Sequence, residues 1–277
     1  MIYSNIIEMD IWSAFGSFSK PFSNSGGLLT YLIPPKTSII GIIAAILGYE
    51  FDDFKEDKTK KVYKIEELYE IKVSIQPLFD LKTKRIIFNN RTNNKIINIR
   101  QDILLNPYYK LYISFPESLK KQEKEFLKKI KNNETVYSLY MGRNEFPLNY
   151  KYENDFPNYE IILTEENSEK FFKDEPQIYG SLNHKNVYET ELNCKTSVKI
   201  IFYENYEDVF ALESFYEYII KDFPIKRENF TDFTYSPISF YSMHNNKDDC
   251  YFSYIKLIDD TELKLSKIGE NKWISMI

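Results

Sequence analysis

Residues 26–48 read Gly-Gly-Leu-Leu-Thr-Tyr-Leu-Ile-Pro-Pro-Lys-Thr-Ser-Ile-Ile-Gly-Ile-Ile-Ala-Ala-Ile-Leu-Gly. Leu28 to Ile33 is too apolar for a solvated loop. Pro34 and Pro35 end any ladder there, because neither carries an N–H. A fixed φ suits the entry to a helix, and Thr37 or Ser38 is placed to cap it. The nearly continuous apolar run Ile39–Leu47 predicts a helix buried on most sides, and Gly48 stands where a left-handed C-terminal residue belongs. Gly41 costs about 1 kcal/mol against Ala inside a helix, so it is expected to admit another backbone closely. Lys36 and Thr37 at the helix entrance bring an ammonium, a hydroxyl, free N–H groups and the positive dipole end together, a combination that favours phosphate.

Outward from this stretch the chain alternates strands and helices. Ile2–Ser13 and Ile71–Leu78 read as strands, as does Tyr108–Phe115. A helix follows Pro116-Glu117-Ser118, with Phe126, Leu127 and Ile130 on its apolar side and Lys and Glu on a solvated one. A fourth strand is expected at Tyr159–Thr164. The resulting order is α+β, the βαββαβ ferredoxin-like or RRM-like plan. The aromatic motif of the common RNA-recognition module is absent, so stacking on the open sheet is not expected.

Between the second and third strands lies the most basic segment. Lys82–Lys110 holds seven Lys and Arg against Asp102, a local charge of +6 in a chain of −5, which leaves −11 for the rest. Ile86–Phe88 and Ile96–Ile99 flank an Asn-rich tip around Arg91, as in a hairpin. The segment therefore reads as a projecting arm, residues 82–106, that binds RNA or a partner.

After Glu165–Gln177, an acidic boundary region, the second half is rich in strand patterns at Val187–Leu192, Thr196–Tyr203, Tyr235–Tyr241 and Tyr251–Ile258. Asp208–Lys221 has helical spacing, and Asp259-Asp260-Thr261 reads as a turn. The expected organisation is residues 1–165 as an RNA-binding domain and 166–277 as a smaller β-rich region.

Composition excludes several classes. At 277 residues with 43% hydrophobic content the chain can bury a sizeable core. A net charge of −5 argues against indiscriminate coating of nucleic acid. Cys194 and Cys250 have no metal spacing and are read as standing alone, which fits a reducing cytoplasm. There is no signal peptide pattern, no membrane-spanning run, no P-loop and no metal-ligand pattern, so no cofactor or metal is expected. His184 and His244 read as loop histidines.

The stretch Thr30–Gly48 closely resembles the Cas-five family of CRISPR-associated proteins, a branch of the RAMP superfamily. Asp10–Phe22, Asp-Ile-Trp-Ser-Ala-Phe-Gly-Ser-Phe-Ser-Lys-Pro-Phe, and Leu139–Pro147, Leu-Tyr-Met-Gly-Arg-Asn-Glu-Phe-Pro, are similar to the same family. Many relatives carry Arg-Lys where this chain has Ser19-Lys20. The resemblance covers roughly residues 1–150 and implies a non-catalytic subunit that holds the 5′ handle of crRNA in a type I Cascade complex, with a type I-B flavour. It implies handle phosphates at Lys36 and Thr37, and bases read around Ala14–Lys20, including Ser17 and Lys20, and at Gly142 and Arg143. The arm, with Arg85, Arg91, Lys95 and Arg100, would lie against the first Cas-seven backbone subunit. A Cas-eight large subunit would be a neighbour, with target DNA engaged indirectly through the complex and a separate Cas-six enzyme making the crRNA. The alternative is a type I-C-like, metal-independent ribonuclease. Those relatives use a Tyr–Lys–His set, of which only Tyr49 has a counterpart here.

Overall fold

The computed structural model describes residues 3–21, 27–50, 54–56, 61–92, 95–194, 199–200, 210–211, 215–228, 232–243 and 250–277. In the N-terminal part the elements run β1 (Tyr3–Trp12), α1 (Lys36–Leu47), β2 (Lys72–Pro77), β3 (Lys82–Thr92), β4 (Lys95–Leu105), β5 (Tyr108–Pro116), α2 (Lys120–Lys131) and β6 (Asn149–Pro157). The C-terminal part continues with β7 (Glu160–Leu163), α3 (Glu165–Lys173), β8 (Gln177–Tyr179), β9 (Val187–Cys194), β10 (Phe215–Glu228), β11 (Asp232–Met243), β12 (Cys250–Leu257), β13 (Leu263–Gly269) and β14 (Lys272–Ser275).

The first sheet has the order β6-β1-β5-β2, with every neighbouring pair antiparallel. Alternation along β1 explains its two environments. Ile7, Met9 and Ile11 join Ile39, Ile40 and Ile43 of α1 and Phe126 and Ile130 of α2 in one buried cluster. Ile6 points the other way and packs with Tyr112, Tyr179, Ile268 and Ile274. The C-terminal region therefore covers the end of the sheet where β1 begins.

The fourth strand of this sheet is Asn149–Pro157, not the expected Tyr159–Thr164. Glu160–Leu163 forms an edge of a different sheet, ordered β7-β13-β14-β8-β12-β9 and antiparallel except for β8 with β14. The apolar run of β7 was the stronger sequence signal, whereas β6 buries none of its residues and reads as loop. The expected boundary at 165 thus follows a strand already committed to the second sheet, and Phe223, Ile238 and Phe240 return to the first core.

Glu165–Gln177 is a helix over most of its length. Thr164 and Asn167 form a reciprocal capping box at its start. The helical spacing of Asp208–Lys221 also misled: from Phe215 the chain is a long strand paired with β11. That pairing lets Phe223 reach the first core, and tertiary burial overrides a local period. A third sheet joins Leu182–Asn183, β11 and β10. The Thr196–Tyr203 strand is described only at Lys199–Ile200. His244 and the arm tip Asn93-Asn94 lie outside the described residues. Cys250 is disulfide-bonded, and the residue opposite it in the ladder is Cys194, the chain's other cysteine. The reading of two lone thiols is corrected accordingly.

No helix among the described residues is long and apolar enough to cross a membrane.

Candidate nucleic-acid interface

The entrance to α1 differs from its sequence reading. Pro35 is the N-cap and no side chain caps the helix; its carbonyl accepts from the N–H of Ser38 (2.8 Å) and Ile39 (3.1 Å). Thr37 and Ser38 are half-buried first-turn residues instead. Lys36 is 8% exposed. Burial, and then the neighbouring Lys72, bring its ammonium down to about 8 from the ordinary 10.5. Gly48 ends the helix at φ 88°, donating to Ala44 O (2.8 Å), as expected.

Gly41 does not admit another backbone: a Cβ built there meets nothing within 4 Å. Instead it opens a cleft of about 260 Å³ lined by Ser38, Gly41, Ala45, Ser138, Tyr140 and Gly142. At about 100° per residue, Ser38, Gly41 and Ala45 sit about 140–200° around the helix from Lys36. The cleft and the buried ammonium are therefore on opposite flanks of α1, and neither Lys36 nor Thr37, where phosphate was expected, lines the cleft.

Gly142 is where the remaining pieces meet. Its φ is 87°, and a Cβ would lie 2.1 Å from Ser17 O and 2.8 Å from Phe18 Cδ1. The Ser17 N–H donates to Met141 O at 3.0 Å. The bend is held by Met141 N–H to Phe146 O (2.8 Å) and Phe146 N–H to Arg143 O (3.0 Å). Ser13 Oγ donates to Pro147 O at 2.7 Å, fixing the loop to the ribbon at residues 13–20. One residue beyond the glycine, Arg143 stands 5.9 Å from the centroid of Phe88 on the arm and 3.4 Å from Glu145.

The arm is a continuous antiparallel hairpin from Lys82↔Leu105 to Thr92↔Lys95. Its root is secured by Phe15↔Leu105 and Gly16↔Leu104 and by Leu28 bridged to Gln101. Arg85 is spent: its guanidinium donates twice to the Asp102 carboxylate, at 2.7 and 3.1 Å, which raises its pKa further. Arg100 is exposed and has no ion-pair partner among the described residues. Ile87 lies opposite it in the ladder and is 64% exposed. Arg91 and Lys95 hold ladder positions opposite Ile96 and Thr92; their side chains are outside the described set.

Of the expected site residues, then, Gly142, Arg143, the ribbon and the arm root converge. Ser17 converges through its backbone only, since its side chain is fully buried and its Oγ donates to Asp102 O at 3.1 Å. Lys20 lies on the same ribbon, its ammonium 5.3 Å from the Tyr31 ring centroid. Lys36 does not join them. The sequence reading missed Ser38, Ala45, Ser138 and Tyr140. The helical spacing of small residues at 38, 41 and 45 was the available signal for an open flank.

Tyr49, the one counterpart to a nuclease set, donates to Glu67 Oε1 at 2.6 Å. Burial, then that carboxylate, push its phenol up to about 12.

Residues 6–134 match the family described as CRISPR-associated protein (Cas_Cas5). No curated protein matches the sequence. Among solved structures, the chain is similar to a CRISPR protein from Archaeoglobus fulgidus, at 10% identity over 99% of each chain with a TM-score of 0.46. It is similar to a chain of a CRISPR RNA-guided surveillance complex at 12% identity, over 90% of this chain and 91% of that one, TM-score 0.42. A CRISPR-associated protein shares 13% identity over 56% of this chain and 69% of its own, TM-score 0.33.

Proposed function

We propose, from the match of residues 6–134 to the CRISPR-associated Cas5 family, that the chain is a crRNA-binding subunit of a type I Cascade effector complex. It grips the 5′ handle in the groove between the arm root, the ribbon at residues 13–20 and the open flank of α1, and it does not cut the RNA. The antiparallel order β6-β1-β5-β2, with α1 and α2 sharing one core, supports a ferredoxin-like RAMP domain.

The observation that carries the reading is Gly142. One residue without a side chain brings the ribbon backbone against the loop, lines the cleft beside Gly41, and sets Arg143 over the arm. A single strand laid there meets an exposed Arg100 and the planar guanidinium of Arg143, which pairs with phosphate or stacks on a base. The arm's exposed Ile87 faces outward, as a contact with a Cas-seven backbone subunit requires. A Cas-eight neighbour belongs to the same proposal.

Binding without cleavage is supported by Tyr49. Activating a 2′-OH needs a base near the working pH, and a phenol donating to a carboxylate with its pKa near 12 is poorly suited to that. The test is titration of the purified chain with labelled RNA carrying its own repeat-derived handle, at several salt concentrations and in EDTA. The expected result is salt-dependent binding of intact RNA, weakened on Arg100→Ala with a shallower salt slope. Site-specific cleavage abolished by Tyr49→Phe would overturn the proposal.

A further inference from the structure

The C-terminal sheet holds a second pocket, of about 600 Å³, that takes no part in the RNA groove. Its floor is Trp273, 8% exposed. Phe171 of α3 meets that ring edge-on at 5.5 Å and Tyr159 lies tilted at 6.3 Å. Ile161 adds an aliphatic wall. Tyr159 is 60% exposed, so a large ring stands in water at the rim of an apolar recess. Lys267 holds its ammonium 5.7 Å from the Trp273 centroid, and Lys170 lines the pocket from α3. Both lysines are exposed and neither has an ion-pair partner among the described residues.

The adjoining sheet edge is partly blunted against strand addition. Tyr159 O accepts from Lys267 N–H at 2.8 Å, and alternation along the antiparallel ladder turns the backbone of Ile162 outward. Asn167 Nδ2 caps the Ile162 carbonyl at 2.8 Å, which blunts the edge as exposed strands usually are. The recess beside the indole is open to an entering side chain.

We propose that this pocket docks a segment of a partner protein that carries one large apolar anchor, Trp, Phe or Leu, flanked by Asp or Glu. The recess is large enough to take such an anchor, and aromatic walls around a desolvated centre are the usual make-up of an energetic hot spot. Lys170 and Lys267 outnumber Asp174 in the lining, so one or two carboxylates beside the anchor meet net positive charge there. A polynucleotide fits less well: its phosphates need a continued track of cations, and here Asp174 lies in the lining with only two lysines. The inference does not depend on the RNA reading.

The probe is a fluorescent, end-blocked peptide Glu-Glu-Trp-Glu-Glu titrated into the full chain, with Lys-Lys-Trp-Lys-Lys and a hexauridylate as comparisons. The acidic peptide is expected to saturate with a Kd below about 1 mM, and the basic peptide not to bind. Lys170→Glu and Lys267→Glu, both surface changes, are expected to weaken it by about tenfold each, and Tyr159→Ala to weaken it as well. Arg143→Ala should leave peptide affinity unchanged, which separates failure here from failure of the RNA groove. The proposal falls if the acidic peptide does not saturate, if the charge reversals leave its affinity as it was, or if hexauridylate displaces it.

Discussion

The two flanks of α1 are built from one short helix and behave in opposite ways. One flank carries Ile39, Ile40 and Ile43 into the core and buries Lys36, against which Lys72 adds repulsion. The other carries Ser38, Gly41 and Ala45 along an open cleft. On the first the protein tolerates a desolvated cation. On the second it leaves room unfilled. Functional room here comes from small residues and close backbone approach, not from the charge at the helix start, and the comparison can be broken at four points.

The largest effect is expected at Gly142, which walls the cleft. Gly142→Ala adds a Cβ 2.1 Å from Ser17 O at a φ of 87°, and neither backbone can yield without undoing the Ser17–Met141 hydrogen bond. A loss of about 3 kcal/mol or more is expected, read by urea unfolding. A loss under about 1 kcal/mol would mean that the bend is not rigid and that the groove is not preformed.

The buried flank gives the next effect, and it depends on pH. The Lys36 pKa is depressed when folded, to about 8 against 10.5, so between those values the unfolded chain holds more protons. Stability therefore rises with pH across that window, and the full penalty is present below it. Lys36→Met should stabilise the protein at pH 7 by on the order of 2–3 kcal/mol, with the gain shrinking as pH climbs toward 10.5. A gain that does not change with pH would show that the ammonium is hydrated and that the two flanks differ less than the burial indicates.

How much of this contrast the sequence could carry is clear from individual residues. The helix, its proline stop and its glycine end follow from local chemistry and were legible, as were the arm's two strands. The division between Lys36 and the cleft was not. Residues adjacent in sequence point about 100° apart on a helix, and which direction is buried depends on β10, a strand arriving from residues 215–228 whose local spacing reads as helical. Gly41 shows the same limit. A glycine within a helix has the same propensity cost whether a backbone or empty space lies beside it, so only tertiary structure tells the two apart. Arg85 counts toward the arm's charge in sequence, yet the single acid of that segment, Asp102, neutralises it across the ladder.

The arginines sharpen the comparison on the groove side. Arg143→Ala is expected to cost about 1–3 kcal/mol of handle affinity, with Arg100→Ala similar in direction. Arg85→Ala should cost little, because Asp102 holds its guanidinium at 2.7 and 3.1 Å, whereas the contacts of Arg143 with Glu145 are long, at 3.4 and 3.5 Å. Equal losses at positions 85 and 100 in filter-binding titrations would mean that total arm charge, not the geometry around Gly142, governs RNA binding.

The smallest effect is the most discriminating, because stability and binding should move in opposite directions. Gly41→Ala meets no atom within 4 Å and removes the entropic cost of glycine in a helix, so the folded state should gain about 0.5–1 kcal/mol. The same methyl takes space from a cleft of about 260 Å³. If RNA enters that cleft, handle affinity falls although the protein melts higher. Thermal melting and RNA titration on one preparation decide the matter: affinity that stays constant or rises with stability would remove the open flank of α1 from the binding surface and leave the arm and Arg143 to hold the strand.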